Sequence, residues 1–300
     1  MKVHIFFHRT DMDGNCSGAI ARMHYERSGL TVVMHPIDYV DFPNFTGFEA
    51  CDTVVIVDFS FKPDVMAALK AKHRGPHGGS LLIWIDHHKT AIEAIPDTDI
   101  FGARQEGVAA CVLCWEYFYS TEAPLPRAVA LLGAYDVWDK SDLTKWEEEI
   151  LPFQSGMYLD DWKPNGPNYE SWKWLLDPTT GPDIVATTLK NGKVVQKYLT
   201  NSNEKAAKAG CYEVTIDGRR GIAMNRGGVN SLFFASVLDP TKHEFMVSYV
   251  WTGKMWRVTL YQATPEIDVS TIAKAHGGGG HKGAAGFEYK GNIHEVIKAV

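Results

Sequence analysis

The sequence predicts an α/β fold: an N-terminal mostly parallel sheet with helices on both faces, then a smaller C-terminal α/β domain. Three observations predict it. In the first half, short β-branched apolar runs alternate with helical stretches, the order from which parallel sheets are built. A polar helical stretch over 186–210 then separates that half from the remainder. From 211 onward the pattern turns to hairpins.

"VHIFF" is a short apolar run that fits a buried strand. "GAIARMHYERSG" follows as a helix stopping at Gly29. "TVVMHPI" and "TVVIVDF" are β-branched and read as strands. "KPDVMAALKAKH" is a helix with Pro63 near its start, and "LLIWID" is another buried strand. "GVAACVLCWEYFYS" and "LPRAVALLGAYDVWD" are helices, the second carrying Asp136 inside an apolar face. The Trp- and Pro-rich stretch 145–183 reads as short helices and loops covering the sheet. From about Pro182 to Gly210 the chain is helical, with Gly192 interrupting it. "CYEVTIDGRRGIAM" is a hairpin turning at Asp217-Gly218, and "EFMVSYVWTGKMWRVTLYQ" a second one around Thr252-Gly253. "NSLFFASVL" reads as helix, "DVSTIAKA" as a short helix N-capped by Asp268, and "IHEVIKAV" as a closing helix. These readings give a first domain over 1–185, a connector over 186–210 and a second domain over 211–300.

Composition narrows the function. The net charge of −6 carries no basic footprint for long duplex DNA. An acidic chain still binds phosphates when metal ions supply the positive charge. No apolar run is long enough to span a membrane, and "MKVHIFFHRTDMDG" is too short and too interrupted for a signal peptide. Five scattered cysteines fit a reducing compartment, so a cytoplasmic location is expected. Cys111 and Cys114 form a CxxC inside an apolar helix without further ligands nearby, and read as core packing. His73 and His77 read as loop residues without a role.

Ligands of parallel sheets bind beyond the carboxyl ends of the strands. The acidic and imidazole side chains fall there. His8, Asp11 and Asp13 follow "VHIFF"; Asp58 ends "TVVIVD"; Asp86, His87 and His88 end "LLIWIDHH". Buried carboxylates are costly unless something pairs with them, and a metal ion would do so. The other reading of "HRTDMDG" is a helix-capping turn beside a histidine.

"IDHHK", set beside "HRTDMDG", "VDFSF", "GAYDVWD" and "GGGGHKGAAG", resembles the DHH phosphoesterase superfamily, and the C-terminal part looks like its DHHA1 subdivision. RecJ-type exonucleases, nano-RNases (oligoribonucleases) and cyclic-dinucleotide phosphodiesterases belong there. The motifs stand in the family's order over nearly the whole chain. The resemblance implies a two-metal site, usually Mn²⁺, with Mg²⁺ or Co²⁺ as substitutes. One metal would be held by His8, Asp11 and Asp58; the other by Asp13, Asp58, His87 and Asp136, with Asp58 bridging. Carboxylate oxygens with a minority of imidazoles suit Mn²⁺. The resemblance further implies that His88 contacts phosphate or transfers a proton, and that Asp86 orients a histidine. Gly278, Gly279, Gly280 and His281 would hold a phosphate from the second domain, across an active-site cleft between the two. Arg226 is a weaker candidate for substrate contact. Two departures stand out: the His-Arg-Thr-Asp spacing of the first motif, and Tyr261 where many relatives carry an arginine.

The activity so implied is hydrolysis of short single-stranded oligonucleotides or dinucleotides to nucleoside 5′-monophosphates, by a monomer or a homodimer. The alternatives are a phosphomonoesterase acting on 3′-phosphoadenosine 5′-phosphate, a phosphodiesterase for linear or cyclic dinucleotides, and a catalytically dead nucleotide-binding sensor. All six ligand positions are filled, which argues against the sensor. The glycine motif argues against an inorganic polyphosphatase.

Overall fold

A computed structural model describes residues 1–75, 79, 81–96, 99–120, 122–177, 179 and 183–300. The chain divides into two compact units, Met1–Gln196 and Lys197–Val300.

The first unit alternates β1 (Val3–His8), α1 (Met12–Arg27), β2 (Val32–Ile37), β3 (Thr53–Val57), α2 (Pro63–Lys72), β4 (Leu82–Ile85) and α3 (Lys89–Ala94). Helices α4 (Ala110–Tyr119), α5 (Arg127–Asp136), α6 (Leu143–Lys145), α7 (Leu151–Met157) and α8 (Tyr169–Leu176) follow, with a π-helical turn at Trp146–Ile150. The strands form one parallel sheet in the order β2-β1-β3-β4. Every residue of β1 is buried, as the largely apolar run "VHIFF" requires of a strand covered on both faces.

Alternation sorts the two faces. Phe6, Val54, Ile56 and Trp84 pack with Met66 and Leu69 of α2. Each such side chain contributes roughly 1.5–3 kcal/mol on burial. Helix α1 lies against the other face, so close that a Cβ on Gly18 would sit 2.8 Å from the Phe7 ring. Cys111 and Cys114 are buried free thiols in α4, as core packing demands.

Helix α9 (Ile184–Gly210) runs without a break through Gly192, against expectation. A Cβ there would lie 1.7 Å from the Pro152 carbonyl oxygen, so the glycine serves close packing on α7 instead of ending a helix. His73 is also not a loose loop residue. It caps α2, is fully buried, and its Nδ1 lies 3.0 Å from the Asp52 carbonyl oxygen. His77 lies outside the described residues.

The second unit holds β5 (Tyr212–Ile216), β6 (Arg219–Met224), β7 (Phe245–Trp251), β8 (Trp256–Gln262), α10 (Val269–Ala275), β9 (Gly279–Gly280), β10 (Ala284–Tyr289) and β11 (Lys298–Ala299). They form a mixed sheet, β11-β5-β6-β7-β8-β10-β9. The β5–β6 hairpin turns through Asp217 and Gly218, both at positive φ. The β7–β8 hairpin turns through 252–255, and Asp268 caps α10 through the Ser270 amide. Val269, Ile272 and Ala273 of α10 share a core with Val247, Leu260 and Phe287.

Two helical readings fail here. "NSLFFASVL" forms one 3₁₀ turn at Ser231–Phe234, because Phe233 and Phe234 are buried in succession, which leaves no one-sided helical stripe. "IHEVIKAV" forms a 3₁₀ turn at Ile293–Glu295 and then edge strand β11 on β5, its Ile293 and Ile297 filling the core. Among the described residues no helix is long and apolar enough to cross a membrane.

Candidate metal centre

Parallel register assembles the site. Phe7 pairs with Val57, and Val57 with Ile85. The next residue on each strand is His8, Asp58 or Asp86, so the three stand side by side at the carboxyl edge. Helix α1 begins just beyond. Its Gly14 lies so near β1 that a Cβ would fall 2.1 Å from the His8 carbonyl oxygen, which is why the motif needs glycine there. That approach brings Asp11 and Asp13 to the strand ends.

Both readings of "HRTDMDG" hold together. Asp11 is the N-cap of α1, with Oδ1 accepting from the Gly14 amide at 2.8 Å. Its Oδ2 faces His8 Nδ1 at 2.6 Å. Asp13 is fully buried and accepts from the Ala110 and Cys111 amides, both at 2.8 Å, at the start of α4. His87 Nε2 lies 3.4 Å from Asp58 Oδ1, 3.4 Å from Asp136 Oδ2 and 3.8 Å from Asp13 Oδ2. Asp136 arrives from the last turn of α5.

The side chains fall into three overlapping groups able to hold a metal ion: His8–Asp11–Asp58, Asp13–His87–Asp136, and Asp58–His87–His88. All six predicted ligands are therefore brought together, and Asp58 and His87 each belong to two groups. His88 also stands within reach, its Nδ1 3.8 Å from Asp58 and 2.7 Å from Asp86 Oδ1.

The electrostatics fit cations. Burial pushes the carboxyls of Asp13, Asp58 and Asp136 above the usual range, and neighbouring carboxylates push the last two further. Burial alone would lower the His8 pKa, but the Asp11 and Asp58 carboxylates raise it to about 10. Asp58 Oδ1 and His8 Nδ1 are buried without a hydrogen-bond partner. The short His8–Asp11 contact is thus an ion pair without hydrogen-bond geometry, as two atoms aimed at one point would make. Excess negative charge, orphaned buried donor atoms and oxygen-rich ligands together fit divalent ions. Asp58 has φ of 52°, a left-handed conformation that Asp tolerates better than most side chains.

Asp86 is fully buried. Its Oδ1 accepts from the His87 and His88 amides and pairs with the His88 ring, while Oδ2 accepts from Trp84 Nε1. It positions His88 and cannot itself touch a substrate. Burial lowers the His88 pKa, but the Asp86 pairing outweighs it and the net shift is upward.

The remaining predicted residues lie in the second unit. Gly278, Gly279, Gly280 and His281 connect α10 to β10. The amides of Gly278 and His281 already donate to the Ala273 and Ala284 carbonyls. A Cβ on Gly278 would meet the Gly286 carbonyl oxygen at 2.0 Å, so part of the glycine run is required by packing. His281 is exposed, and exposed Arg226 stands 5.4 Å over the Phe233 ring. Tyr261 donates to the Val229 carbonyl at 2.8 Å, a role inside its own unit.

Sequence reasoning missed one strand end. β2 also delivers residues to the carboxyl edge, since Ile37 pairs with His8. Asp38 follows, 3.9 Å from His8 Nε2, and then Tyr39, 5.7 Å from the His8 ring. The rule that located Asp58 and Asp86 would have found both. Thr10, also missed, places Oγ1 2.7 Å from His8 Nε2 and fixes the ring.

No family model matches the chain. A curated relative, the uncharacterized protein R106 of Acanthamoeba polyphaga mimivirus, is 26% identical over 251 residues, covering 79% of this chain. The chain spans about half of that relative's length, 53%. Two solved structures share the fold over 98% of the chain at TM-score 0.51 and 13% identity. One is a pGpG-specific phosphodiesterase from Vibrio cholerae, matched over 95% of its length. The other is an exopolyphosphatase-related protein from Bacteroides fragilis, matched over 88%.

Proposed function

We infer the function of this chain from its metal centre and from the fold it shares with the pGpG-specific phosphodiesterase and the exopolyphosphatase-related protein. We propose that it is a metal-dependent phosphodiesterase that hydrolyses short oligonucleotides, linear dinucleotides among them, to nucleoside 5′-monophosphates. The observation that carries this is the convergence of His8, Asp11, Asp13, Asp58, His87 and Asp136 into overlapping groups of metal-ligand geometry.

In this reading His8, Asp11 and Asp58 hold one divalent ion, and Asp13, His87 and Asp136 the other, with Asp58 shared. Mn²⁺ is the proposed native ion. Such a pair supplies Lewis-acid activation of water and neutralises the phosphate's charge. The protein residues do the rest. Asp13 is anchored by two α4 amides and so holds its ligand geometry without reorganising. His88, held through Nδ1 by Asp86, is proposed to donate to a phosphate oxygen or the leaving group. Its raised pKa favours the protonated, donating form. Gly279, Gly280 and His281, with Arg226, are proposed to contact the substrate's far phosphate.

The likeness to a pGpG-specific enzyme supports dinucleotides over 3′-phosphoadenosine 5′-phosphate. The test is an activity panel with Mn²⁺, Mg²⁺ and Co²⁺ across dinucleotides, 5-mers, 24-mers, cyclic dinucleotides, the 3′,5′-bisphosphate and polyphosphate. Mn²⁺-dependent release of monophosphates, faster from short substrates than from 24-mers, is expected. Hydrolysis of polyphosphate alone would refute the proposal, and so would full activity after thorough metal stripping.

A further inference from the structure

Tyr39 is the first aromatic residue beyond β2 and stands over the metal centre. Its ring centroid lies 5.7 Å from that of His8 and 6.5 Å from that of His88. It leans on the Phe59 ring at 4.6 Å, the two planes tilted by 35°. Phe59 is buried, 3% exposed, and follows Asp58 directly, so the ring under Tyr39 is fixed to the same strand end as the shared ligand. Tyr39 is nevertheless 56% exposed, which leaves surface uncovered beside the site.

The turn that presents it is tied down. The Asp41 amide donates to the Asp38 carbonyl at 2.9 Å, and Asp41 Oδ2 accepts from the Asp38 amide at 2.8 Å. Arg9, next to His8, pairs with the Asp41 carboxylate through both Nη1 and Nη2. A large aromatic ring held half-exposed on a clamped turn gains little from packing. Backed by Phe59 and more than half exposed, it is placed like a stacking platform.

We propose that Tyr39 is a substrate-positioning residue whose exposed ring stacks on a nucleobase next to the scissile phosphate. This rests on the phosphodiesterase reading of the same centre. Base stacking on an aromatic ring tolerates any base, because each has a π-face. Tyr39 would therefore favour nucleotide esters over other phosphate esters without reading sequence.

The test is equilibrium binding, measured by calorimetry with Mn²⁺ present. One ligand is a dinucleotide whose scissile oxygen is replaced by methylene. The other is the same molecule without its bases. Tyr39→Ala should weaken the dinucleotide roughly 5- to 150-fold, as expected for one base–aromatic stack. Binding of the base-free ligand should change less than about twofold, within the scatter of an exposed substitution. Tyr39→Phe and Tyr39→Trp should both bind like the wild type. Equal losses on both ligands, no loss on either, or a loss in Tyr39→Phe matching that in Tyr39→Ala would each overturn the platform. So would a wild-type protein that binds both ligands equally well. A wild type that prefers the base-bearing ligand yet hydrolyses no diester would sink the proposed activity and leave the stacking role standing.

Discussion

Replacing Asp58 with Asn should make the metal-free protein more stable and the metal-loaded protein less so. Asp58 is 1% exposed, and one of its oxygens has no hydrogen-bond partner. Burial, then Asp13 and Asp11, push its pKa well above the usual range. A carboxyl with a raised folded pKa binds its proton more tightly when folded. Its cost is therefore absent at low pH and grows as the pH rises past about 4. Asn has the same shape, carries no charge and tolerates the left-handed backbone. At neutral pH, in chelator, the variant should gain on the order of 1–3 kcal/mol. For a unit of this size, about 1 kcal/mol is roughly 2–4 °C in Tm. Mn²⁺ reverses the order. An ion at a hundredfold excess over its Kd adds about 2.7 kcal/mol per site, and the variant loses a ligand shared by both groups. Thermal melts of both proteins, each in EDTA and in Mn²⁺, read this directly. An Asn variant that melts below the wild type in EDTA refutes the charge argument. One that gains as much from Mn²⁺ as the wild type refutes the shared ligand.

His88→Asn should lower kcat by about 10²–10⁴, the range for a proton-transfer group, while calorimetry still finds two metal sites; loss of a site would make His88 a ligand instead. Asp86→Asn should move the alkaline limb of the kcat profile to lower pH, because the Asp86 pairing is what raises the His88 pKa and keeps the ring protonated; an unmoved profile would deny the pairing that role. His35 has its pKa lowered to about 4 by burial and then by His4, to which it is bonded at 3.0 Å. Its neutral form is the folded one, so it takes stability away as the pH falls from 6.5 toward 4; His35→Gln should recover about 1–2 kcal/mol at pH 4.5 by urea titration, after discounting for partial exposure. Gly192→Ala should destabilise by about 1–3 kcal/mol despite alanine's better helix propensity, because its Cβ would strike the Pro152 carbonyl; a more stable variant would mean that α7 yields easily.

Much of the first unit was legible in the sequence because its parallel strands are buried on both faces. Such strands must be continuous apolar runs, and the chemistry must then collect just past their ends. "VHIFFH", "TVVIVD" and "LLIWIDHH" say both things at once. The chain alone thus determined that His8, Asp58 and Asp86–His88 share an edge. What it could not determine was pairing. The side-by-side order of strands β1, β3 and β4, and the register that aligns Phe7, Val57 and Ile85, arise from contacts between distant segments. Only that register sets Asp58 between His8 and His87, and only the packing of α4 and α5 delivers two amides to Asp13 and the carboxylate of Asp136. Gly192 and the C-terminal "IHEVIKAV" misled for the same reason. Local propensity marks a helix break and a helix, whereas close approach to Pro152 and the open edge of β5 decide the outcome. Tyr39 shows the limit most plainly. The strand-end rule reaches it just past "TVVMHPI", but only the pairing of β2 with β1 sets its ring beside His8.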